Sequence, residues 1–451
     1  MDFFKLKYIA MCYFVLGLRS MFISPFFFFL GIIIPAIRRR LALEKASFND
    51  DLRRSHGEST YLFEVSSEGE LEQALPLMIK FMEDNCLVEL LYCSDSVALK
   101  VEKLCQKYPQ NLKAMALPLL RYSFFNGGPF KNIARWSHAK TVVLCRYDFF
   151  PELMMLGHQS SRRFILISAS LKSKYLTIKK SWWSRLWWKT TYSFFDGIVA
   201  ENQLEENHIV ELFNTSSIKN YTLRVPRIKE RGEFSKETIQ KLIGEKFFSF
   251  LTDEEKKSSV VFAQFWPYEA SLMTEEFVQG VKSGDFRFFL APHKLSEESI
   301  IEVTKILTEK FYIDPYVIKK GVTANELEIF VRDFSKMPKP VLITVPGVLC
   351  ELYQYMDHVF VGGGHGRSVH SLLEPYLAGS FVYCGPKVYR SSEFDYIRLR
   401  NEDNPVIIEK MTDFFPLLSE KLHFSQEKSH FNEEKESCEF EEIVNFVRAD
   451  K

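Results

Sequence analysis

"HVFVGGGHGRSVHSLLEPYLAGSFVYCGP", residues 358–386, carries the richest pattern in the chain. A short apolar run precedes three glycines, a helical pattern opens near His370, and a second apolar run ends in Gly-Pro. Glycines let a backbone approach a phosphate, and free amides at a helix start donate hydrogen bonds to it. The stretch therefore predicts an anion cradle at the edge of a parallel sheet. The spacing matches neither the dinucleotide fingerprint nor a P-loop, so a glycine loop that only makes a tight turn is the alternative.

The same alternation of apolar runs and helical patterns extends along most of the chain. Apolar runs occupy 61–65, 87–93, 113–119, 141–147, 163–170, 196–202 and 221–225, and then 259–265, 286–292, 341–345, 358–363 and 381–385. Strands alternating with helices predict parallel sheets covered on both faces. At 451 residues the chain is too long for one core. We predict two Rossmann-like domains that face each other across a cleft, because ligands of such sheets bind beyond the carboxyl ends of the strands.

Composition excludes several classes of protein. Lys+Arg and Asp+Glu are both 58, and this balance argues against a nucleic-acid binder. The eight cysteines form no CxxC pair and no cluster with histidines at metal-ligand spacing, so we expect reduced thiols and no metal site. The 42 Phe are unusual, and many of them cluster near possible membrane contacts.

The N-terminal segment is almost wholly apolar over residues 8–37. Its part 21–37 is about long enough to cross a bilayer at roughly 1.5 Å per residue. Three arginines follow at 38–40, which predicts that the downstream chain is cytoplasmic. No cleavage site follows the apolar run, so a removed signal peptide is disfavoured. We predict a hydrophobic membrane anchor over 1–40; a helix that lies in the interface stays open as the alternative to a spanning one.

Glu70 stands where a strand gives way to a helix, in "FEVSSEGELEQALPLM" (63–78). We expect Gly69 to make the turn possible and Glu70 to start the helix, which places its carboxylate over the carboxyl edge of the sheet. The helix macrodipole favours an ionised acid there and suits a base that accepts a hydroxyl proton. The structural alternative is that acids are simply favoured in a first helical turn.

Four tryptophans and six cations share the stretch 172–195. Tryptophan at interfacial depth, with cations that reach anionic headgroups, is typical of a face seated on a membrane. An ordinary core helix with a basic back is the alternative, but four tryptophans within 182–188 exceed what one core face needs. We therefore predict membrane or lipid contact here.

Several segments, in this order and spacing, resemble one family. They are "VSSEGELEQALPL", "RYDFFPEL", "ISASLKSKY", "IVAENQLEENHIVELF", "LAPHKLSEESI", "PGVLCELYQYMDHVFVGGG" and the His-x-x-x-Glu-Pro of 370–375. Together they look like the 3-deoxy-D-manno-octulosonic acid (Kdo) transferases, which are inverting GT-B glycosyltransferases that pass Kdo from CMP-Kdo to a lipid A precursor. The resemblance covers most of the chain.

The resemblance implies a division of roles. It implies a membrane anchor at 1–40, an acceptor-binding domain at 41–226, a hinge at 227–257, a nucleotide-sugar-binding domain at 258–423 and a helical tail at 424–451. Glu70 is implied as the general base, and Ser67, Gly69, Asp148 and Lys172 as acceptor-binding residues. The expected donor-binding residues are Gly362, Gly363, Gly364, Arg367, His370, Ser371, Glu374, His293 and Glu269. In this reading Glu374 accepts the ribose hydroxyls. No cofactor beyond the CMP-Kdo substrate and no metal is implied, and the expected location is the cytoplasmic side of the bacterial inner membrane, in lipopolysaccharide biosynthesis.

Departures from the family pattern leave two alternatives open. The family's first acid in Glu-Thr-Glu is Arg146 here, and the loops at 263–270 and 291–296 lose most of the family's residues. At the hinge, Arg227 or Lys229 stands in place of the family's lysine. The alternatives are therefore a GT-B enzyme that uses another nucleotide sugar, and a non-catalytic, membrane-bound lipid-binding paralogue.

Overall fold

A computed structural model describes residues 3–18, 24–51, 60–118, 133–147, 149–159, 162–171, 174–253, 257–369, 371–389, 391–422 and 433–449. The chain divides into two compact units. The first comprises residues 1–227 together with 434–451, and the second comprises residues 228–433. Each contains one seven-stranded sheet, which confirms the predicted pair of parallel α/β domains.

The first sheet is parallel throughout, in the order β3-β2-β1-β4-β5-β6-β7. Its strands are β1 (Tyr61–Val65), β2 (Val88–Tyr92), β3 (Leu112–Ala116), β4 (Thr141–Cys145), β5 (Arg163–Ala169), β6 (Gly197–Ala200) and β7 (Ile218–Asn220). Every residue of β1, β2, β4 and β6 is buried, as expected for strands with helices on both faces. The carboxyl ends of all seven strands therefore lie along one edge.

Helices cover both faces of this sheet. They are α1 (Phe3–Leu18), α2 (Ser24–Ile33), α3 (Pro35–Asp51), α4 (Glu68–Glu83), α5 (Asp95–Lys107), α6 (Pro151–Gln159), α7 (Tyr175–Lys180), α8 (Trp182–Tyr192) and α9 (Gln203–Phe213). The helices α4 and α5 contribute buried residues to one core cluster. The helices α1, α6, α7, α8 and α9 contribute to the other.

The predicted anchor begins with a helix that packs on the first unit. Tyr8, Ile9, Cys12 and Leu16 of α1 share one face and are buried in a core cluster. The ring of Tyr8 lies 5.1 Å from that of Trp187, and burial raises the pKa of Tyr8 to about 12. The opposite side of α1 carries exposed apolar residues such as Phe14, 66% exposed. This helix therefore joins the core through one face only.

The apolar stretch 21–37 is divided between two helices. Ile34 separates α2 from α3, which begins at Pro35, because proline has no N–H to donate and is favoured at a helix start. Among the described residues, no helix combines the length and the apolar character that crossing a membrane requires.

Two of the three arginines at 38–40 have partners within the chain. Arg38 donates from Nε to the carbonyl of Gly31 at 3.1 Å, near the end of α2. Arg40 donates to the carbonyl of Leu117 at 2.6 Å and to that of Cys93, just beyond β3 and β2. The basic triplet, predicted as a topology signal, thus also joins α3 to the first sheet.

The last helix, Glu433–Arg448, returns to the first unit. Its residues Val444 and Val447 are buried in the cluster that contains α4. Arg163, which begins β5, donates to the carbonyls of Phe446 and Val447, each at 2.7 Å. A Cβ on Gly197 would lie 2.9 Å from the ring of Phe446, so β6 needs glycine at this contact. The predicted acidic tail is therefore partly core.

The second sheet is also parallel, in the order β10-β11-β9-β8-β12-β13-β14. Its strands are β8 (Ser259–Phe265), β9 (Arg287–Pro292), β10 (Tyr316–Ile318), β11 (Val341–Ile343), β12 (His358–Val361), β13 (Phe381–Cys384) and β14 (Val406–Ile407). The helix α10 (Arg224–Glu233) carries the chain into this unit. It is followed by α11 (Ser235–Leu242), α12 (Glu245–Leu251), α13 (Glu275–Lys282), α14 (Glu297–Phe311), α15 (Ala324–Lys336), α16 (Leu349–Leu352), α17 (Leu373–Leu377), α18 (Ser392–Arg398) and α19 (Phe414–Ser419). Short 3₁₀ helices occupy Pro267–Leu272, Tyr353–Tyr355 and Met411–Asp413.

Phenylalanine builds the core of the second unit. The ring of Phe262 lies 4.9 Å from Phe288, 5.3 Å from Phe277 and Phe414, and 5.6 Å from Phe360. Offset and edge-on ring pairs of this kind stabilise a core beyond their buried area. The sequence suggested that many phenylalanines lie near membrane contacts. A good part of them instead fills the core of the second unit.

Element boundaries differ from prediction at several places, of which three bear on the site. The run 221–225 was predicted as a strand, but β7 ends at Asn220 and α10 begins at Arg224. The predicted hinge, 227–257, forms the helices α10 to α12 over its described part. The predicted helix at 370–378 is shorter, since α17 spans Leu373–Leu377. Short edge strands and loop-bounded helices carry too little periodicity to be placed from sequence.

We predict that Arg163→Met loosens the last helix. The substitution removes two hydrogen bonds from a charged donor, so we expect the free energy of unfolding of the first unit to fall by about 2 kcal/mol. Amide hydrogen exchange over 433–448 should accelerate. Lys103→Met, an exposed residue on α5, is the control. Unchanged exchange in Arg163→Met would show that the arginine does not hold the helix.

Candidate functional site

Glu70 is held by a capping box at the start of α4. Its Oε2 accepts the N–H of Ser66 at 2.7 Å and that of Ser67 at 3.0 Å, while Ser67 Oγ accepts the N–H of Glu70 at 3.3 Å. The helix begins at Glu68, two residues earlier than predicted. Among the described residues, Oε1 accepts no hydrogen bond. One oxygen of this carboxylate is therefore structural and the other is unused.

Gly69 plays a different part from the one predicted. It lies inside α4 with an ordinary helical backbone, so it is not needed for a left-handed turn. A Cβ there would meet only Ser67 Oγ, at 4.0 Å. The glycine instead leaves open space over the first turn of the helix, next to Glu70.

Arg146 stands at the same edge, one residue after β4. Its backbone is left-handed, with φ of 56°, and its Nη2 lies 3.2 Å from Glu201 Oε1. Glu70 and Glu201 both favour its charged form. The predicted acceptor residues Asp148 and Lys172 lie outside the described residues. The structure therefore brings Glu70, an arginine and a second carboxylate to one edge of the first sheet.

In the second unit the three glycines are required by close backbone packing. A Cβ on Gly362 would lie 2.3 Å from the carbonyl oxygen of Gln264, and one on Gly364 would lie 2.7 Å from the amide of Gly385. Gly363 is left-handed, with φ of 98°. The glycine loop, residues 362–364, thus packs against the loops after β8 and β13. This packing accounts for the glycines whether or not the loop binds an anion.

Glu269 forms hydrogen bonds with both the glycine loop and the loop after β8. Its side chain is 0% exposed; Oε1 accepts the N–H of Gly363 at 2.8 Å, and Oε2 accepts that of Trp266 at 3.0 Å. Burial raises the pKa of Glu269 to about 7, although both hydrogen bonds favour the charged form. Glu269 was predicted to bind the donor, but burial leaves it no direct access. Both of its oxygens instead bind amides of the two loops.

His365 lies beside this carboxylate. Its Nε2 is 2.8 Å from the carbonyl of Ile408, so that nitrogen carries the hydrogen, and its Nδ1 is 4.0 Å from Glu269 Oε1. Burial lowers the pKa of His365. Arg367, predicted to add charge near a phosphate, is exposed on the same loop.

His293 lies against an aromatic ring at the ends of β8 and β9. Its ring centroid is 4.3 Å from that of Trp266, and Lys294 Nζ is 5.8 Å from the same indole. Tyr268, 45% exposed, places its hydroxyl where a Cβ on Gly366 would be. Three rings, Trp266, Tyr268 and His293, thus lie together at the ends of β8 and β9.

The start of the helix that was predicted to bind a phosphate binds a carboxylate of the chain itself. The N–H of Leu373, the first residue of α17, donates to Glu393 Oε2 at 3.0 Å. Ser371 precedes the helix with a left-handed backbone, φ of 58°, and His370 lies outside the described residues. Glu374 is half-buried in the first turn. The helix therefore begins later than predicted, and its first amide is already satisfied by an acid.

Arg231 is a residue that the sequence reasoning missed. It donates from Nε and Nη2 to the two oxygens of Glu351, at 2.9 and 2.8 Å, and from Nη2 to the carbonyl of Gly347 at 3.0 Å. Burial lowers its pKa, but pairing with Glu351 outweighs this and raises it, and Glu374 adds to the rise. The positive charge that was expected from Arg227 or Lys229 thus comes from Arg231, one helical turn after Arg227, and it acts on Glu374.

Arg227 itself pairs with Glu72, at 3.2 Å, in the first unit. The sequence signal for Arg231 was its i+4 spacing from Arg227 along one helix. Within the described ranges, no group of three or more His, Cys, Asp or Glu side chains is arranged to hold a metal ion.

Comparison with known proteins establishes the fold. No protein family model and no curated protein sequence matches the chain. UDP-GlcNAc 2-epimerase from Neisseria meningitidis, bound to UDP-GlcNAc, superposes with a TM-score of 0.58 at 10% identity, over 87% of this chain and 100% of its own. A glycosyltransferase from Rickettsia africae gives 0.50 at 9%, over 88% and 100%. Arabidopsis thaliana UGT89C1, complexed with quercetin, gives 0.50 at 12%, over 87% and 100%. The chain therefore has the two-domain α/β fold of GT-B proteins.

The raised pKa of Glu269 predicts a pH-dependent stability. The folded chain holds this proton up to about pH 7, whereas the unfolded chain releases it near 4.5, so stability falls as pH rises between these values. The change amounts to at most about 3 kcal/mol. His365 acts in the opposite sense at lower pH, because its lowered pKa costs stability when it is protonated.

Glu269→Gln removes the pH dependence that comes from Glu269 and leaves the one that comes from His365. We expect the difference in free energy of unfolding between the native chain and this variant to shrink from pH 5 to pH 8, in denaturation series at each pH. Glu302→Gln, an exposed residue of α14, should parallel the native chain. A difference that stays constant with pH would contradict the assignment.

Proposed function

We propose that the chain is an inverting glycosyltransferase that transfers Kdo from CMP-Kdo to a lipid A precursor. The GT-B fold supports the reaction class, and the resemblance of the segments described above supports the donor and the acceptor. The observation that carries the proposal is the carboxylate of Glu70. Its Oε2 is fixed by two amides, and its Oε1 is unused at the edge of the sheet where ligands of such folds bind.

In this mechanism Glu70 is the general base. The acceptor hydroxyl lies against Oε1, which takes its proton as the oxygen attacks the anomeric carbon of Kdo. The bond from that carbon to the CMP oxygen breaks, and CMP leaves with the electron pair. One displacement inverts the anomeric centre and forms no covalent enzyme intermediate. The capping box suits this role because a base fixed by two hydrogen bonds needs little reorganisation.

The second unit would bind the nucleotide. Glu374 accepts hydrogen bonds from the ribose hydroxyls. The glycine loop, which has no side chains and packs closely on its neighbours, lets the phosphate approach its backbone. Arg231, which favours the negative charge of Glu374, offsets the repulsion between this acid and the phosphate. Glu269 keeps the glycine loop in place, and we propose no metal and no other cofactor for the transfer.

We further propose that the protein works on the cytoplasmic side of the inner membrane. Apolar side chains of α1, α2 and α8 are exposed: Phe14, Leu18, Phe26, Phe29, Ile32, Ile33, Trp182 and Trp183. Burial of such side chains at an interface contributes roughly 25 cal/mol per Å² of apolar area. Lys180, exposed beside Trp182, suits anionic headgroups.

A second candidate is transfer from another nucleotide sugar. The loop after β8 places Trp266 and Tyr268 around Pro267, which has no N–H for a phosphate or a sugar carboxylate. The first amide of α17 is bound to Glu393. Both features change the surroundings of the donor relative to the family pattern, so CMP-, UDP- and GDP-sugars should all be screened.

The transfer reaction is tested with CMP-Kdo and a tetraacyl disaccharide acceptor, read by mass spectrometry. We expect a product carrying added Kdo. Glu70→Gln should abolish it, because glutamine can keep the capping box but cannot take a proton. The matched control is Glu68→Gln, in the same helical turn, whose partner Lys100 lies 2.8 Å away. Normal turnover by Glu70→Gln would refute the role of the base.

Glu374→Ala should instead weaken nucleotide binding. Losing a charged acceptor for two hydroxyls costs about 1.5–3 kcal/mol, so we expect the Kd for CMP to rise at least about tenfold in calorimetric titration. Glu328→Ala, an exposed residue of α15, should bind CMP as the native chain does. Native affinity in Glu374→Ala would reject the ribose assignment.

A further inference from the structure

The ammonium of Lys174 lies between two aromatic rings. Its Nζ is 4.4 Å from the ring centroid of Tyr147 and 4.7 Å from that of Trp188. Among the described residues it has no carboxylate partner and no hydrogen-bond acceptor, and burial lowers its pKa. Lys179, on the same segment, differs because its Nζ pairs with Glu211 at 2.8 Å. Lys174 is thus a partly buried cation that no carboxylate of the described residues neutralises.

The two rings contact the ammonium but accept no ordinary hydrogen bond from it. A cation–π contact contributes about 0.5–2 kcal/mol. The side chain is partly buried, so it loses part of its hydration. An anion that accepts hydrogen bonds from the ammonium would replace the water that is lost.

Lys174 stands at the same edge of the first sheet as Glu70. Tyr147 comes two residues after β4, Lys174 five residues after β5, and Glu70 five residues after β1. These three strands are neighbours in the parallel sheet. An anion held by Lys174 would therefore lie on the edge where the proposed acceptor hydroxyl meets Glu70.

The other described charged side chains around Tyr147 have partners within the chain. Arg146 pairs with Glu201 at 3.2 Å, and the buried carboxylate of Glu205 accepts the N–H of Leu171. The left-handed backbone of Arg146 costs roughly 1–2 kcal/mol, and strain of this kind is concentrated at functional sites. Among the described residues around Tyr147, Lys174 is the charged side chain that has no oppositely charged partner.

We propose that Lys174, held between Tyr147 and Trp188, binds a phosphate group at the carboxyl edge of the first sheet. An ammonium is a compact charge with three donors and suits a phosphate oxygen. The phosphate belongs to a phosphorylated amino sugar or to a phospholipid headgroup. The site rests on the proposed function in one respect, since a phosphorylated sugar at this position would be the acceptor.

The test measures binding of glucosamine 6-phosphate against glucosamine by calorimetry, and of phosphatidylcholine vesicles with and without phosphatidic acid by flotation. We expect the full chain to prefer the phosphorylated member of at least one pair. Lys174→Met, which keeps the aliphatic stem, should lose about tenfold in affinity for it, about 1.4 kcal/mol. Lys103→Met, which removes an exposed charge from α5, and Lys174→Arg, which keeps the charge, should retain it.

A preference confined to the sugar pair assigns the phosphate to the acceptor, and one confined to the vesicles assigns it to a lipid headgroup. Equal binding by Lys174→Met and the native chain in both pairs would overturn the site. Titration with CMP on the same samples separates the two proposals. If the native chain prefers the phosphorylated probes but does not bind CMP, the proposed transferase is rejected and the phosphate site stands. If it binds CMP but shows no preference for the phosphorylated probes, the phosphate site is rejected and the transferase stands.

Discussion

Each sheet has a carboxylate that binds backbone amides just beyond one of its inner strands. After β1, Glu70 accepts the amides of Ser66 and Ser67, and after β8, Glu269 accepts those of Trp266 and Gly363. Amides at the end of a parallel strand have lost their partners in the sheet, so an acid that accepts two of them determines the loop's conformation. The two acids differ in burial: Glu70 binds both amides through Oε2 and is only half-buried, whereas Glu269 is fully buried and uses both oxygens.

Much of the fold could be predicted because its signals are local. Buried parallel strands are nearly continuous apolar runs, so β1, β4, β8 and β12 were placed within one or two residues. The helical pattern over 95–107 predicts α5 with its observed bounds, since capping and periodicity agree there. Edge strands such as β7 and β14, with three and two residues, are too short to leave a pattern.

The candidate site was harder to predict because it depends on contacts distant in sequence. Glu269 matched a family position, but its burial follows from the fit of the glycine loop against Gln264. Arg231 lies 143 residues from Glu374 in the sequence, and Glu393 reaches the start of α17 from the following helix. Left-handed residues such as Ser168 and Gln264 fall where the strand register shifts, and no local preference predicts them.

The last helix has a consequence for how the protein is made. Residues 433–448 belong to the core of the first unit, yet the ribosome produces them only after the whole second unit. The core cluster that contains α4 therefore lacks Val444 and Val447 until synthesis reaches the last helix. During translation the earlier half of the chain is thus the later one to mature, and in that interval its exposed apolar surface is a natural substrate for chaperones.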